Sequence, residues 1–358
     1  MKDKLSLLIL FGGASSEHEV SCASAESVLN NIDSEKYHIN TIGITKEGNW
    51  FLTSSPAVNI GNGLWVYDEN NKRAALSLDT NSRGILAEER DGTYTKIKID
   101  VVFPVLHGKN GEDGTVQGML QIAGLPFVGS DTTASSASMD KAITKAMIEQ
   151  AGSVNQANSF ILHKKTYDCN KEGELIAISE YFDDEFPLFV KPANAGSSVG
   201  ISKVERKEDL PEALELAFKE DDKIVIEEAI TGREIEVAVL GNENPRASCI
   251  GEIFAANEFY DYNAKYENKD SRTDIVRDLD TEKEREIRET AVRVYEIMGC
   301  SGLSRVDFFL KESGKVIFNE INTLPGFTNI SMYPKLWEES GITYSHLIDE
   351  LIDLAVGK

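Results

Sequence analysis

The sequence predicts an α/β protein, α+β in parts, divided into more than one domain. Three observations lead there. At about 150 residues per domain, 358 residues imply two or three cores. In the first hundred residues, apolar runs alternate with glycine turns and helical stretches, the pattern of an open parallel sheet. Near the C-terminus, two strictly alternating runs flank a tight turn and predict an antiparallel hairpin.

A first strand is expected over 5–11, ending at Gly12-Gly13, with a helix through 24–30 and Ser15 and Ser16 as cap candidates. A second strand follows over 39–44. Residues 45–100 are less regular, with turn signals at Gly61-Asn62-Gly63 and Asp91-Gly92, and predict a β-rich insertion. A strongly apolar strand over 99–106 ends at His107-Gly108 and closes a first domain, 1–107. The second domain, 108–231, carries a helix pair over 132–152 and a strand over 186–191. The loop Gly196-Ser197-Ser198-Val199-Gly200, a strand over 201–204, a helix over 209–219 and a strand over 223–228 complete it. The last domain, 232–358, contains one clear amphipathic helix with Ile287, Ala291, Val294, Tyr295 and Met298 as its stripe. Thr281 and Glu284 suit a capping box, and Gly299 ends the helix. A terminal helix is expected over 344–355.

Composition narrows the function. Hydrophobic residues at 41% and charged residues at 27% are ordinary for a globular chain. Thirty-seven basic against 60 acidic residues leave −23, a field that repels nucleic acid and anionic membrane alike. An anionic small molecule must therefore be held by a local cluster of donors. No apolar run reaches 18 residues, and the run over 5–11 is too short and too soon followed by Glu17 and Glu19 for a signal peptide. The four cysteines and five histidines are scattered, which predicts reduced thiols in a cytoplasmic protein and no zinc site.

The hairpin is the strongest chemical signal. A two-residue turn at Ser313-Gly314 sets Asp307 opposite Glu320, Arg305 opposite Asn322 and Phe309 opposite Phe318, with Val306, Phe308 and Leu310 on the core face. A solvated outer face is the plain alternative. Two like charges directly opposed are destabilising, however, and a divalent cation on Asp307, Glu320 and Asn322 would compensate them. All-oxygen donors suit Mg²⁺ or Mn²⁺. The Gly-Ser loop, with Lys191 just upstream, suits phosphate or is a plain turn; it is neither a Walker A loop nor a dinucleotide fingerprint. Glu227, Glu228 and Ile230 leave a strand where backbone groups can meet an adenine edge, and Glu234 can reach a ribose. An aromatic segment, Phe259-Tyr260-Asp261-Tyr262, precedes Lys265 and Tyr266, and Gly326 after the hairpin offers an N–H to an oxyanion.

Taken in order, these residues resemble the ATP-grasp superfamily, and within it the D-alanine–D-alanine ligase family. The resemblance runs from Phe11-Gly12-Gly13 and Glu17-His18-Glu19 through His107-Gly108-Lys109-Asn110-Gly111 and Ser138-Met139-Asp140-Lys141. It continues to Arg305-Val306-Asp307 and Asn319-Glu320-Ile321-Asn322, nearly the whole chain. It implies a three-domain ATP-grasp architecture and ligation of two D-alanine molecules through an acyl phosphate, for peptidoglycan precursors. Glu17 would bind the first ammonium and connect through Ser197 to Tyr266, with His107 at the same subsite. Lys141, Lys191, Lys265, Ser197, Ser198 and Asn319 would serve ATP, Glu227, Glu228 and Ile230 would surround adenine, and Glu234 would take ribose. Asp307, Glu320 and Asn322 would hold two Mg²⁺ or Mn²⁺ ions. Arg305 and Gly326 would stabilise the oxyanion, and Ser331 and Met332 would shape the second subsite. Relatives that make D-alanyl-D-lactate carry His where this chain has Tyr266, which favours an amino acid as second substrate, D-alanine or D-serine. The resemblance also implies a homodimer. Other carboxylate–amine ligases of the superfamily, and a nucleotide-binding regulator without catalysis, are the competing readings.

Overall fold

The computed structural model describes residues 4–196, 199–254 and 272–357. The chain builds three sheets among these residues. The first holds β1 (Leu5–Gly12), β2 (Tyr37–Ile44), β3 (Trp50–Thr53), β4 (Lys72–Leu76), β5 (Gly84–Glu88), β6 (Tyr94–Lys98) and β7 (Val101–Leu106), in the order β6-β5-β4-β3-β2-β1-β7. Only β1, β2 and β7 run parallel. The expected insertion is not a separate unit: β3 to β6 continue the same sheet as an antiparallel meander. Both faces of β1 are covered, which is why Leu7 to Phe11 are all apolar and all fully buried. Helix α1 (His18–Asn31) lies on one face, and α3 (Thr115–Ile122) lies on the other; α2 (Ala57–Gly61) packs on α1. Neither Ser15 nor Ser16 caps α1, whose N-cap is Glu17; Ser15 Oγ instead accepts the Glu17 N–H at 3.1 Å.

The second sheet follows α4 (Thr132–Met139) and α5 (Lys141–Ala151). It comprises β8 (Ser159–His163), β9 (Leu188–Pro192), β10 (Ser202–Val204) and β11 (Lys223–Glu228), in the order β10-β9-β11-β8, all antiparallel. Helices α6 (Lys164–Cys169), α7 (Lys171–Tyr181) and α8 (Leu210–Ala217) enclose its core around Leu162, Val190, Leu214 and Ile226.

The third sheet contains β12 (Arg233–Gly241), β13 (Arg246–Phe254), β14 (Arg272–Ile275), β15 (Gly302–Leu310) and β16 (Val316–Asn322), in the order β14-β13-β12-β15-β16. Helix α9 (Thr281–Ile297) covers one face with the expected stripe. Its cap is Asp280, whose carboxylate accepts from Lys283 N at 2.8 Å, not Thr281. The opposite face divides along β12. Ala238 and Leu240 pack with α10 (Met332–Glu339) and α11 (Tyr344–Val356) into the core of the first sheet, while Glu234 and Glu236 face an open cleft.

The hairpin β15–β16 pairs Arg305 with Asn322, Val306 with Ile321 and Asp307 with Glu320, as expected. The turn differs. Lys311 and Lys315 pair across a three-residue loop whose last member, Gly314, is left-handed at φ +80°. Phe309 therefore faces Ile317 rather than Phe318, and Phe308 faces Phe318. A bulge at Asn319 then restores the expected pairing beyond it. The Phe318 N–H freed from the ladder donates to Asn155 O at 2.8 Å.

Candidate active site

Two clefts meet where the three sheets converge. The first lies between the second and third sheets and is lined by Lys141, Lys191, Glu227, Glu228, Ile230, Glu234, Asp307, Asn319 and Glu320. The second lies against the first sheet and is lined by Glu17, His107, Glu112, Lys141, Arg305, Glu320, Asn322 and Gly326. Lys141, Ile201 and Glu320 belong to both walls, so the clefts adjoin.

Local structure explains each placement. Asp140 caps α5 by accepting from Ala142 N and Ile143 N at 3.0 and 3.1 Å, which makes Lys141 the first helical residue. The Lys141 ammonium reaches Ala195 O at 2.6 Å, at the base of the Gly-Ser loop. Glu227 on β11 is almost fully buried, and its two oxygens meet Lys145 Nζ at 2.8 Å and Lys191 Nζ at 2.6 Å. Burial alone would raise the Glu227 carboxyl, but Lys191 and then Lys145 override it and hold it at about 2. The Lys191 ammonium is correspondingly raised: burial opposes its charge, and Glu227 more than restores it.

In the second cleft the Ser15 turn presents Glu17 with its side chain toward His107 and Gly196. Ser15 Oγ donates to His107 O at 2.9 Å. His107 is buried, with Nε2 3.0 Å from Ser24 Oγ and Nδ1 3.1 Å from Leu324 O and 3.6 Å from Glu112. Burial lowers the imidazole, yet Glu112 and Glu17 leave it above its ordinary value. Ser24 Oγ also accepts the Phe327 N–H at 3.2 Å, which ties the Gly326 loop to α1.

Across β12, β15 and β16 three carboxylates form a row: Glu236 beside Asp307, and Asp307 beside Glu320. Arg305 donates from Nε and Nη2 to Asp307 at 2.8 and 2.7 Å and stands 3.1 Å from Glu236. Burial opposes its charge, but Asp307 and Glu236 keep it firmly protonated. The donor set fits a hard divalent cation: three carboxylates against one guanidinium leave −2, and all donors are oxygen. Among the described residues no three His, Cys, Asp or Glu side chains already converge on one point, and Arg305 holds Asp307. Asn322 Oδ1 accepts from Leu324 N at 2.9 Å.

Every nucleotide-contact residue expected from sequence that falls among the described residues lines the first cleft. Ser197, Ser198, Lys265 and Tyr266 lie outside the described residues. The two residues expected at the second subsite lie beside the Gly326 loop and off the walls of these two clefts. Met332 is buried in the core against Gly251, and Ser331 Oγ accepts from Thr328 N at 3.0 Å. Lys145, Glu112 and Glu236 were not singled out. Lys145 follows Lys141 by one helical turn, and Glu236 follows Glu234 by one strand repeat, so both were open to a periodicity argument.

Comparison with known proteins puts this fold and its adjoining clefts in one class, the ATP-dependent ligases of the ATP-grasp fold. A D-ala D-ala ligase N-terminus model matches residues 6–130, and a D-ala D-ala ligase C-terminus model matches residues 147–353. The D-alanine–D-alanine ligase B of Clostridium tetani is 50% identical over 99% of this chain and 94% of its own length. The VanG D-Ala:D-Ser ligase of Enterococcus faecalis superposes with a TM-score of 0.87 at 39% identity, covering 99% of this chain and 100% of that one. The D-alanine-D-alanine ligase of Coxiella burnetii superposes at 0.84 and 34%, covering 99% and 96%. The chain belongs to the D-alanine–D-alanine ligase family.

Proposed function

We propose that the chain joins two D-alanine molecules at the expense of ATP, making D-alanyl-D-alanine for peptidoglycan precursors. The observation that carries this is the shared wall of the two clefts, which sets a space lined by Lys141, Lys191 and Asn319 beside one lined by Glu17 and Arg305. A carboxylate oxygen of the first D-alanine attacks the γ-phosphorus, the bond to ADP breaks, and D-alanyl phosphate forms. The amine of the second D-alanine attacks the acyl carbon, the C–N bond forms, the nitrogen sheds a proton and inorganic phosphate leaves.

In this reading Glu17 holds the first ammonium, in concert with Ser197 and Tyr266, and His107 flanks it. Lys141, Lys191, Lys265, Ser198 and Asn319 attend the nucleotide, with Glu227, Glu228 and Ile230 at adenine and Glu234 at ribose. Arg305 and the Gly326 N–H meet the tetrahedral oxyanion. Ser331 and Met332 act on the second subsite through the loop that carries Gly326. Asp307, Glu320 and Asn322 would hold two Mg²⁺ or Mn²⁺ ions, whose charge would offset that of the triphosphate. We place the enzyme in the cytoplasm and read it as a homodimer of three-domain chains, 1–107, 108–231 and 232–358. No helix among the described residues is long and apolar enough to cross a membrane.

The test is ATP-dependent phosphate release with D-alanine alone, with added D-serine and with added D-lactate, the products identified by mass. D-alanyl-D-alanine as the main product supports the reading. The likeness to a D-Ala:D-Ser ligase supports a second one, in which D-alanyl-D-serine dominates and only the second subsite is reassigned. No turnover with D-alanine would refute both.

A further inference from the structure

Glu236 has no role in the reaction above, yet it stands at one end of the acidic row, beside Asp307. It lies in register with Asp307 on the neighbouring strand and is 4% exposed. Its Oε1 stands 3.1 Å from Arg305 Nε, the same N–H that donates to Asp307 Oδ1 at 2.8 Å, while Nη2 holds Asp307 Oδ2 at 2.7 Å. One guanidinium is thus divided between carboxylates on β12 and β15.

We propose that Glu236 is a positioning residue, which keeps Arg305 anchored on β12 when Asp307 turns toward a divalent cation. A carboxylate gripped through both oxygens by an arginine is a poor cation ligand, because its lone pairs are engaged and a positive charge sits beside it. Releasing it would strand a buried guanidinium, which is strongly unfavourable unless a second anion is in place. Glu236 is that anion. The same contact keeps Arg305 on the wall of the second cleft, with Gly326, as Asp307 is withdrawn from it. The alternative is that Glu236 merely adds negative potential through space.

This inference rests on the reading of Asp307 and Glu320 as cation ligands, and the experiment separates the two. Mn²⁺ is titrated into protein saturated with ADP, and free Mn²⁺ is followed by electron paramagnetic resonance. The proteins are wild type, Glu236→Gln, Glu236→Asp and Asp307→Asn, each checked for a native circular dichroism spectrum. Gln keeps the shape and loses the charge; Asp keeps the charge but is one methylene too short to hold Nε. Both Glu236 variants are expected to weaken Mn²⁺ binding by roughly ten- to a hundredfold, the scale of one lost charged hydrogen bond. Weakening by Gln with wild-type binding by Asp means a through-space effect and overturns the proposal. So does wild-type binding by both Glu236 variants while Asp307→Asn loses Mn²⁺, which leaves the cation reading intact. Wild-type binding by Asp307→Asn overturns the cation reading, and this inference with it.

Discussion

Lys145→Met removes one of the two ammoniums that grip Glu227 and leaves a side chain of similar length in the same space. The Lys145–Glu227 separation is 2.8 Å. At an effective dielectric of about 20 this gives ~6 kcal/mol of gross attraction. Burying the ammonium takes back several kcal/mol of that, a cost Met does not carry, so a net loss of about 2–3 kcal/mol is expected. Function should respond too. With Lys145 gone, Glu227 has only Lys191 to neutralise it, and Lys191 is drawn toward the carboxylate and away from the nucleotide. The expected outcome is a lower melting temperature by calorimetry and KM for ATP raised roughly tenfold, the equivalent of about 1.4 kcal/mol. The D-alanine KM values should change little. A melting temperature and ATP KM both indistinguishable from wild type would refute the claim that the Lys145–Glu227–Lys191 chain organises the first cleft.

Three further outcomes follow from features already described. Glu320→Gln should lower ATP turnover steeply with the fold intact, and near-normal activity at ordinary Mg²⁺ would remove Glu320 from the cation site. Gly314→Ala places a side chain at φ +80° and should cost about 1 kcal/mol, read by thermal unfolding, without altering kinetics; an unchanged or raised melting temperature would contradict the three-residue loop. The Glu227 carboxyl is held below its unfolded value of 4.5, at about 2, so its contribution is complete above pH 4.5 and is lost as pH falls toward 2. Glu227→Gln should therefore flatten the acid limb of stability between those values, and an acid limb parallel to wild type would count against the assignment.

The hairpin shows how much the sequence could say. Asp307 faces Glu320 as a two-residue turn requires, although the turn has three residues. Ser313-Gly314 reads as a compact pair because nothing local marks Glu312 as a loop member. The bulge at Asn319 that corrects the register is stabilised by Asn155, more than 160 residues away, and no local pattern reports such a contact. Glu234 is a ribose candidate from its place just beyond the strand over 223–228 and from the resemblance. Once β12 is recognised as a strand, alternation alone places Glu236 on the same wall. Helix bodies were legible from their stripes and their caps less so: Asp280, Thr281 and Glu284 all suit a first turn, and only geometry selects Asp280. Met332 shows the opposite limit, since an apolar residue beside a substrate loop serves equally well in a core.

The packing of α11 bears on how the chain can be made. Leu347, Ile348, Leu351 and Ile352 are fully buried in the same core as Leu7, Ile9 and Phe11, and Asp349 accepts from Tyr37 Oη at 2.9 Å. The first sheet, covered on this face only in part by α1, thus keeps the rest of it uncovered until α11 emerges. At about 5–20 residues per second that interval lasts at least ~15 s. During it an apolar sheet face with high contact order stands open to aggregation or chaperone capture. Loss of α11 would therefore damage the first sheet, far from it in sequence.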